Sequence, residues 1–466
     1  MTQTAVIGAA EAPTVAARLD RLPATRYTWF LVVLVSFGAF FEIYDLSLSA
    51  PLGLGLQAAG IFHKGSAGLF GLSDQATFIA VTFAGLYAGT LGFSTVADRL
   101  GRRLVFTVAL LWYALATVVM GFQNSAGAID LWRFIASVGV GLEMVAIDCY
   151  LAELTPKAIR GKAFAVSASI QFLSAPLVAV LAWRLIPGQH FGMAGWRWLA
   201  LLPAVGAVLV WWVRRALPES PRWLEATGRL AEADRIAGIM EARARQDTGR
   251  PLPPIEPVEV AHPAAAQPSL MRPPYRRWTL ALIVFHLCQV VGYFGVTNWL
   301  PTLLVSQGIT IGKSLGYSAV LALVAPAAPL VFSLFSDRAE RKWLVVAGSL
   351  MVAGFGLLMA RMTQHTGAAV FIAVGVAVAA GNSLMSLSYH TYQSEVFPTA
   401  MRARGVGFVY SFSRFSAVFS GYLIAATLDH AGSVGVFALI AVSMVIAALS
   451  VGLFGPRTRG LALEQI

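Results

Sequence analysis

The chain has 466 residues, of which 57% are hydrophobic and 12% charged, with a formal net charge of +11 at pH 7. Soluble domains average about 25% charged residues, so an ordinary soluble enzyme is excluded; so is disorder, because this much apolar surface does not stay solvated. Two cysteines exclude a disulfide scaffold and any cysteine-rich metal or iron–sulfur centre.

In chain order, a polar segment 1–26 leads into an apolar run longer than the ~7–15 residues of a signal h-region, so a membrane span is expected there. Stretches able to cross a bilayer need about 17–25 residues. They fall at roughly 27–50, 76–97, 104–122, 127–152, 161–183 and 198–213. Six more fall at roughly 278–306, 314–335, 343–360, 367–394, 405–428 and 433–454. With the N-terminus inside, 27 of the 34 lysines and arginines lie on inner segments. Lys64, Arg184, Arg197, Lys313 and Arg361 lie on outer loops, and Arg133 and Arg414 lie inside spans. This is the positive-inside pattern, so the basic charge reports topology and no nucleic-acid partner is expected.

The expected fold is an all-α membrane protein with twelve transmembrane helices in two pseudo-symmetric six-helix bundles, both termini cytoplasmic. Its parts are an N-terminal segment (1–26), a first bundle (27–216), a cytoplasmic loop (217–277), a second bundle (278–454) and a tail (455–466). Within the loop, 219–246 has helical spacing and the proline-dense remainder reads as a flexible linker.

The second half repeats the first. Asp98-Arg99-Leu100-Gly101-Arg102-Arg103 follows the second span, and Asp337-Arg338-Ala339-Glu340-Arg341-Lys342 follows the eighth. Glu153-x-x-Pro156-x-x-x-Arg160-Gly161 follows the fourth, and Glu395-x-x-Pro398-x-x-x-Arg402 follows the tenth. Parallel repeats of this kind are a transporter signature that places the substrate site between the halves, near the membrane midplane.

On these residues the chain resembles a major facilitator superfamily transporter over its whole length. Asp98–Arg103 resembles the loop-2–3 motif, with Ser94 where the usual glycine opens it. Pro218-Glu219-Ser220-Pro221-Arg222-Trp223-Leu224 resembles the signature after helix six of the sugar-porter-like branch. Leu461-Ala462-Leu463-Glu464 resembles that branch's tail, with Arg457 replacing its glutamate. The run Glu395–Gly407 is most similar to organic-ion and synaptic-vesicle-protein-like members, a group that includes bacterial niacin and aromatic-acid transporters.

The resemblance implies a cytoplasmic gate in which inner-loop arginines face carboxylates at helix ends. Its candidates are Asp98, Arg99, Arg102, Arg103, Glu153, Arg160, Glu219, Arg222, Asp337, Arg338, Arg341, Glu395 and Arg402. Exposed pairs contribute about 0–1 kcal/mol each, but several together bias a two-state equilibrium whose gap is a few kcal/mol.

Ionisable residues inside spans cost roughly 2.5–3.5 kcal/mol each on insertion scales and are functional candidates by default. Glu42 and Asp45 lie on helix 1, Arg133, Glu143 and Asp148 on helix 4, and Arg414 on helix 11. Asp45 and Arg133 lie at similar depth, and similar sugar porters pair an aspartate after tyrosine on helix 1 with the helix-4 arginine. Asp45–Arg133 is the candidate proton-coupling pair, with Glu42, Glu143 and Asp148 as alternative carboxylates; a permanent structural ion pair is the competing reading.

Arg414 lies near mid-depth of helix 11 with no acid within a helical turn of sequence. A guanidinium there suits bidentate capture of a carboxylate, and similar organic-anion transporters carry an arginine at this place. Pairing with Asp148 or Glu143 is the alternative. Around it, Gln289, Tyr293, Asn298 and Trp299 on helix 7, Asn382 and Tyr389 on helix 10, and Gln171 on helix 5 are candidate substrate contacts. An aromatic ring could stack on tyrosine or tryptophan. His286 and His390 are further polar residues of these spans, the latter placed for gating, while glycines 292 and 295 with Pro301 could break helix 7.

Gly308-x-x-x-Gly312-Lys313-Ser314 is one residue short of a phosphate-binding loop and falls on an outer loop, so ATP drive is rejected. Gly85-x-x-x-Gly89 reads as a close-packing motif within one half. Cys149 and Cys288 have no metal-ligating neighbours in sequence. The expectation is therefore a multi-pass plasma-membrane protein, in the inner membrane if the cell is Gram-negative. It is expected to be a monomer with no cofactor, metal or enzymatic activity. It would import a small organic monoanion, nicotinate or a similar aromatic carboxylate, with protons by alternating access. The rivals are a sugar or polyol proton symporter, an organic-cation or drug exporter, and a non-transporting receptor.

Overall fold

The computed structural model describes residues 14–63, 73–156, 159–213, 217–255, 269–333, 339–362, 365–397 and 402–458. The first half holds α1 (Val15–Asp20), α2 (Arg26–Ser47), α3 (Ser49–Ala58), α4 (Asp74–Leu100), α5 (Arg102–Gly121) and α6 (Ala126–Leu154). It continues with α7 (Arg160–Phe172), α8 (Ser174–Leu185) and α9 (Gly195–Val213), a two-residue hairpin pairing Gln189–His190 with Met193–Ala194 before α9. Two short polar helices follow, α10 (Pro221–Ala226) and α11 (Leu230–Thr248). The second half is α12 (Tyr275–Ser306), α13 (Ile311–Ala322), α14 (Val324–Ser333), α15 (Arg341–Ala360), α16 (Ala368–Val396) and α17 (Arg402–Phe454). Among the described residues, eight helical runs are long and apolar enough to cross a membrane. Helices are the form such runs must take, because lipid offers no partner to an unpaired backbone group.

Proline places the interruptions. The pairs α2/α3, α7/α8 and α13/α14 meet at Leu48, Leu173 and Leu323, each three residues before a proline: Pro51, Pro176 and Pro326. Proline lacks an N–H and its ring crowds the carbonyl four residues back, so the hydrogen-bond ladder opens there. In α17 the interruption is Gly432, at φ 65° and ψ −171°, a left-handed φ that glycine adopts without Cβ cost.

Within the first half α4 packs on α6, and α5 on α6 and α9; within the second, α12 and α15 pack on α17, and α15 on α16. Gly85 and Gly89 let α4 and α6 touch backbone to backbone, since a Cβ at Gly89 would lie 2.2 Å from the Val138 carbonyl oxygen. The expected break at glycines 292 and 295 is absent: α12 is continuous. A Cβ at Gly292 would lie 1.8 Å from Met444 Cε, so these glycines make room for the second stretch of α17 instead.

The halves meet through α4 on α17, α8 on α13, α3 on α12 and α7 on α14. At one end a polar contact crosses between them: Gln75 Nε2 donates to Thr302 Oγ1 at 2.8 Å, and Gln75 Oε1 accepts from Gln57 Nε2 at 3.0 Å. At the opposite end, α1, α10 and α11 form a base under the first half. Leu19, Trp223, Leu224, Ile236 and Met240 bury against Val32, Phe106 and Tyr150, each large apolar side chain contributing about 1.5–3 kcal/mol.

Candidate functional site

Two buried regions carry the polar residues of the spans. In the first half, Asp45 of α2 and Arg133 of α6 form a bidentate ion pair, Nη1 to the two carboxylate oxygens at 2.8 and 2.9 Å. Nη2 of Arg133 donates to the Asp45 carbonyl (3.0 Å) and to Ser49 Oγ (3.3 Å), and Nε to Thr82 Oγ1 (2.9 Å). The guanidinium also lies 5.3 Å from the Phe78 ring centroid. The side chains are 0% and 1% exposed, so every donor nitrogen is matched inside the protein. Four helices, α2, α3, α4 and α6, are tied by this one group. Glu42, three residues before Asp45 on α2, and Glu143, ten residues beyond Arg133 on α6, are also buried.

In the second half, Arg414 of α17 is half-buried. Its Nη2 donates to the Tyr410 hydroxyl at 3.3 Å, and its guanidinium lies 5.2 Å from the Tyr410 ring centroid. Among the described residues no carboxylate pairs with it. Phe415 and Phe419, on the adjacent face, are 53% and 55% exposed and mark the lipid side. Two turns beyond Arg414 on its own face, Gly421 packs on Ala76 and Ile79 of α4. Arg414 therefore lies on the side of α17 that faces the other half.

Around it stands an aromatic and imidazole group from three helices. Tyr389 stacks on His390 at 4.2 Å between centroids. His286 meets Tyr389 and Tyr410 edge-on at 5.3 and 5.5 Å and shares a 2.9 Å hydrogen bond between Nε2 and Gln393 Oε1. Gln289 Nε2 donates to Ser413 Oγ at 3.5 Å.

Tyr293, one turn along α12 from Gln289, leads into a cavity of about 180 Å³ between the halves. Ile43, Ser47, Phe172 and Ala175 form its first-half wall, and α12, α13, α14, α15 and α16 supply the other. Among the described residues, no lysine, arginine, aspartate, glutamate or histidine lines it.

Of the expected substrate contacts, Tyr293 and Asn382 line this cavity, while Gln289, Tyr389 and Arg414 belong to the group beside it. Gln171 is half-buried on α7 and donates to Ser167 Oγ at 3.1 Å. Asn298 and Trp299 are buried in α12 away from the cavity wall, Trp299 within the apolar core. Tyr410, Gln393 and Thr82 were not singled out by sequence reasoning. For Tyr410 the signal was available, because four residues before an arginine is the spacing at which helix side chains meet.

Where their contacts are described, the expected gate residues pair within their own halves. Arg222 donates to Asp20 Oδ1 (2.7 Å) and to the Glu153 carbonyl (3.0 Å), and Arg160 to Asp20 Oδ1 (3.1 Å). Glu219 accepts from the backbone N–H of Arg103 (3.2 Å). In the second half, Arg341 pairs with Glu395. Asp20, on α1, is an unexpected hub. The side chains of Asp98, Arg99, Arg102, Asp148 and Arg402, and the whole of Asp337 and Arg338, lie outside the described residues.

Below this, α1 is held to α11: Glu241 accepts from Arg18 (3.2 and 3.0 Å) and Arg21 (2.7 Å). Burial pushes the Glu241 carboxyl upward, but these hydrogen bonds outweigh it and leave it below the ordinary carboxylate range.

The sequence matches the sugar (and other) transporter family over residues 31–466. The chain belongs to this family. It is a membrane transporter with the all-helical fold of the major facilitator superfamily. It is 29% identical over 95% of both chains to the putative metabolite transport protein YyaJ of Bacillus subtilis. It is 25% identical to the niacin transporter NiaP of Acinetobacter baylyi, over 96% of this chain and 98% of that one. Its fold is similar to the inward-open xylose transporter XylE of E. coli, with TM-score 0.74 at 18% identity, over 94% of this chain and 99% of that one.

Proposed function

We propose that this transporter imports a small aromatic monocarboxylate, nicotinate or a near relative, together with protons by alternating access. In this reading its twelve spans form two bundles (27–216 and 278–454), the α1–α10–α11 base is cytoplasmic with both termini, and a monomer works in the plasma membrane. One observation carries the assignment of substrate charge: Arg414 is half-buried between the halves with a tyrosine hydroxyl, and no described carboxylate, as its partner. A charge left so in a low-dielectric setting is costly, and a substrate carboxylate supplies the missing counter-charge through two parallel N–H···O bonds. Tyr389, Tyr410 and His390 offer ring faces beside it. The niacin transporter among the relatives agrees with this class.

Proton coupling falls to Asp45. Protonation of its carboxylate weakens its hold on Arg133 and loosens α2 from α6, and co-transport of a proton cancels the anion's opposition to the membrane potential, about 2.3 kcal/mol per charge per 100 mV. Against a polyhydroxylated sugar, part of the polar lining of the cavity is already engaged. Two of its hydroxyls, Ser318 and Ser383, are engaged with carbonyls of their own helices at 3.0 and 2.9 Å.

The test is uptake into proteoliposomes under an imposed inward proton gradient, with labelled nicotinate, benzoate, xylose and an organic cation in parallel. Accumulation of the acids alone, lost in Asp45→Asn while acid–acid exchange persists, is the expected result. Accumulation of xylose or the cation, or pH-driven uptake unchanged in Asp45→Asn, contradicts it.

A further inference from the structure

The cavity lined by Tyr293 and Asn382 has a feature that its side chains alone do not show. A proline at position i+4 removes the amide that would bond the carbonyl of residue i. In the helices bordering the cavity these prolines are Pro51, Pro176, Pro301, Pro326 and Pro329, and the carbonyls that lose their helical donor belong to Ser47, Phe172, Thr297, Ala322 and Ala325. All five residues line the cavity, and no described side chain donates to any of these carbonyls. Pro203 of α9 provides the contrast. It frees the carbonyl of Leu199, which is not in the cavity, and the Tyr44 hydroxyl donates to that carbonyl at 3.3 Å. Freed backbone at membrane depth is tolerated where another group meets it or where it borders a water-filled chamber.

Asn382 adds to this wall. It is 5% exposed, its Oδ1 is buried without a hydrogen-bond partner, and it lines the same cavity. Hydroxyl-bearing Ser47, Tyr293, Thr297, Ser318 and Ser383 and apolar residues such as Ile43, Val296, Leu300, Leu321 and Val378 complete the described lining. The described lining carries no charged side chain, and the five proline-freed carbonyls add acceptors that no described side chain meets. The chamber's volume of about 180 Å³ compares with the roughly 150 Å³ that houses one benzene ring in an apolar cavity.

We propose that this chamber receives the hydroxyl-bearing edge of the substrate ring, so that the preferred substrates are ring-hydroxylated aromatic monocarboxylates, with Asn382 and the proline-freed carbonyls as the specificity-determining groups. The inference rests on the anion reading of Arg414 and narrows it. A phenolic hydroxyl is donor and acceptor at once and satisfies both ends of the Asn382 amide. The pyridine nitrogen of nicotinate only accepts, which leaves Oδ1 and the carbonyls unmet. A site built to bond a hydroxyl rejects the analogue lacking it, because its buried polar groups are left unpaired. A metal cation fits poorly, since no carboxylate lines the wall and one ring, not one ion, fills the space.

The test is competition in proteoliposome counterflow by benzoate, 3- and 4-hydroxybenzoate and nicotinate, using wild type, Asn382→Leu, Pro326→Ala and Arg414→Gln. Pro326→Ala restores the amide that occupies the Ala322 carbonyl and favours the helix, so it is expected to fold. Wild type is expected to favour at least one hydroxybenzoate over benzoate and nicotinate by about tenfold or more. That ratio should fall toward one in Asn382→Leu and by several-fold in Pro326→Ala. Equal competition by all acids in wild type, or a ratio unchanged in both variants, overturns the inference. Undiminished competition by every acid in Arg414→Gln is a different failure, that of the anion reading itself.

Discussion

Two arginines lie inside the spans of this transporter, and they differ in company. Arg133 is wholly buried, with all three nitrogens donating to Asp45, Ser49 and Thr82. Arg414 is half-buried, and its one described hydrogen bond goes to a tyrosine hydroxyl on its own helix. A buried charge whose every donor is met holds helices together. One placed between the halves without a counter-charge has capacity left for a ligand. The difference lies in the surroundings, since the residue type is the same and both sit in apolar helices.

The largest expected effect separates the two by stability. Arg133→Ala leaves Asp45 charged and buried without its partner and should cost about 3–5 kcal/mol, read as a large fall in melting temperature of the detergent-purified protein. Arg414→Ala breaks no described ion pair, so no destabilisation of that size is expected. Comparable losses in both variants would erase the contrast.

Arg160 and Arg222 give an intermediate case, because both donate to Asp20 but all three side chains are 21–35% exposed. Asp20→Asn should therefore cost no more than about 1 kcal/mol, with faster hydrogen exchange in α1 as the sharper readout. A loss as large as that of Arg133→Ala would place Asp20 in the same class as the buried pair.

The smallest effect is a pH dependence in the base. The Glu241 carboxyl is lower in the folded chain than in the unfolded one, so its contribution is full above the unfolded value and is lost as pH falls through the folded one. Protection of α1 and α11 against hydrogen exchange should weaken as pH is lowered through and below the ordinary carboxylate range, and Glu241→Gln should flatten that dependence. A profile unaffected by Glu241→Gln would remove the carboxylate as its cause.

Much of this was legible in the sequence because the membrane makes polar residues conspicuous. Asp45, Arg133 and Arg414 stand out against apolar runs, and the first two were paired from depth and resemblance before their contact was seen. The helical stretch within 219–246 emerges as α10 and α11. Asp20 was hidden because 1–26 reads as a polar segment, and one helical turn and a half leaves little periodicity to detect. Glycines 292 and 295 were read as breakers, yet they serve close contact with Met444 and Ile440. Local sequence cannot tell a glycine that bends a helix from one that admits a neighbour. The prolines were visible throughout, but that five of the carbonyls they free border one cavity depends on how distant helices come together.

The most direct measurement of the central assignment compares an acid with its uncharged isostere. Binding of benzoate and benzamide to the purified transporter, by calorimetry on wild type and Arg414→Gln, isolates the charge of one group at nearly constant shape. Wild type should favour benzoate by at least about tenfold, the scale of a hydrogen bond to a charged group, and Arg414→Gln should bind the two alike. Equal binding by wild type, or an acid preference that survives the substitution, would contradict an arginine-anchored anion site.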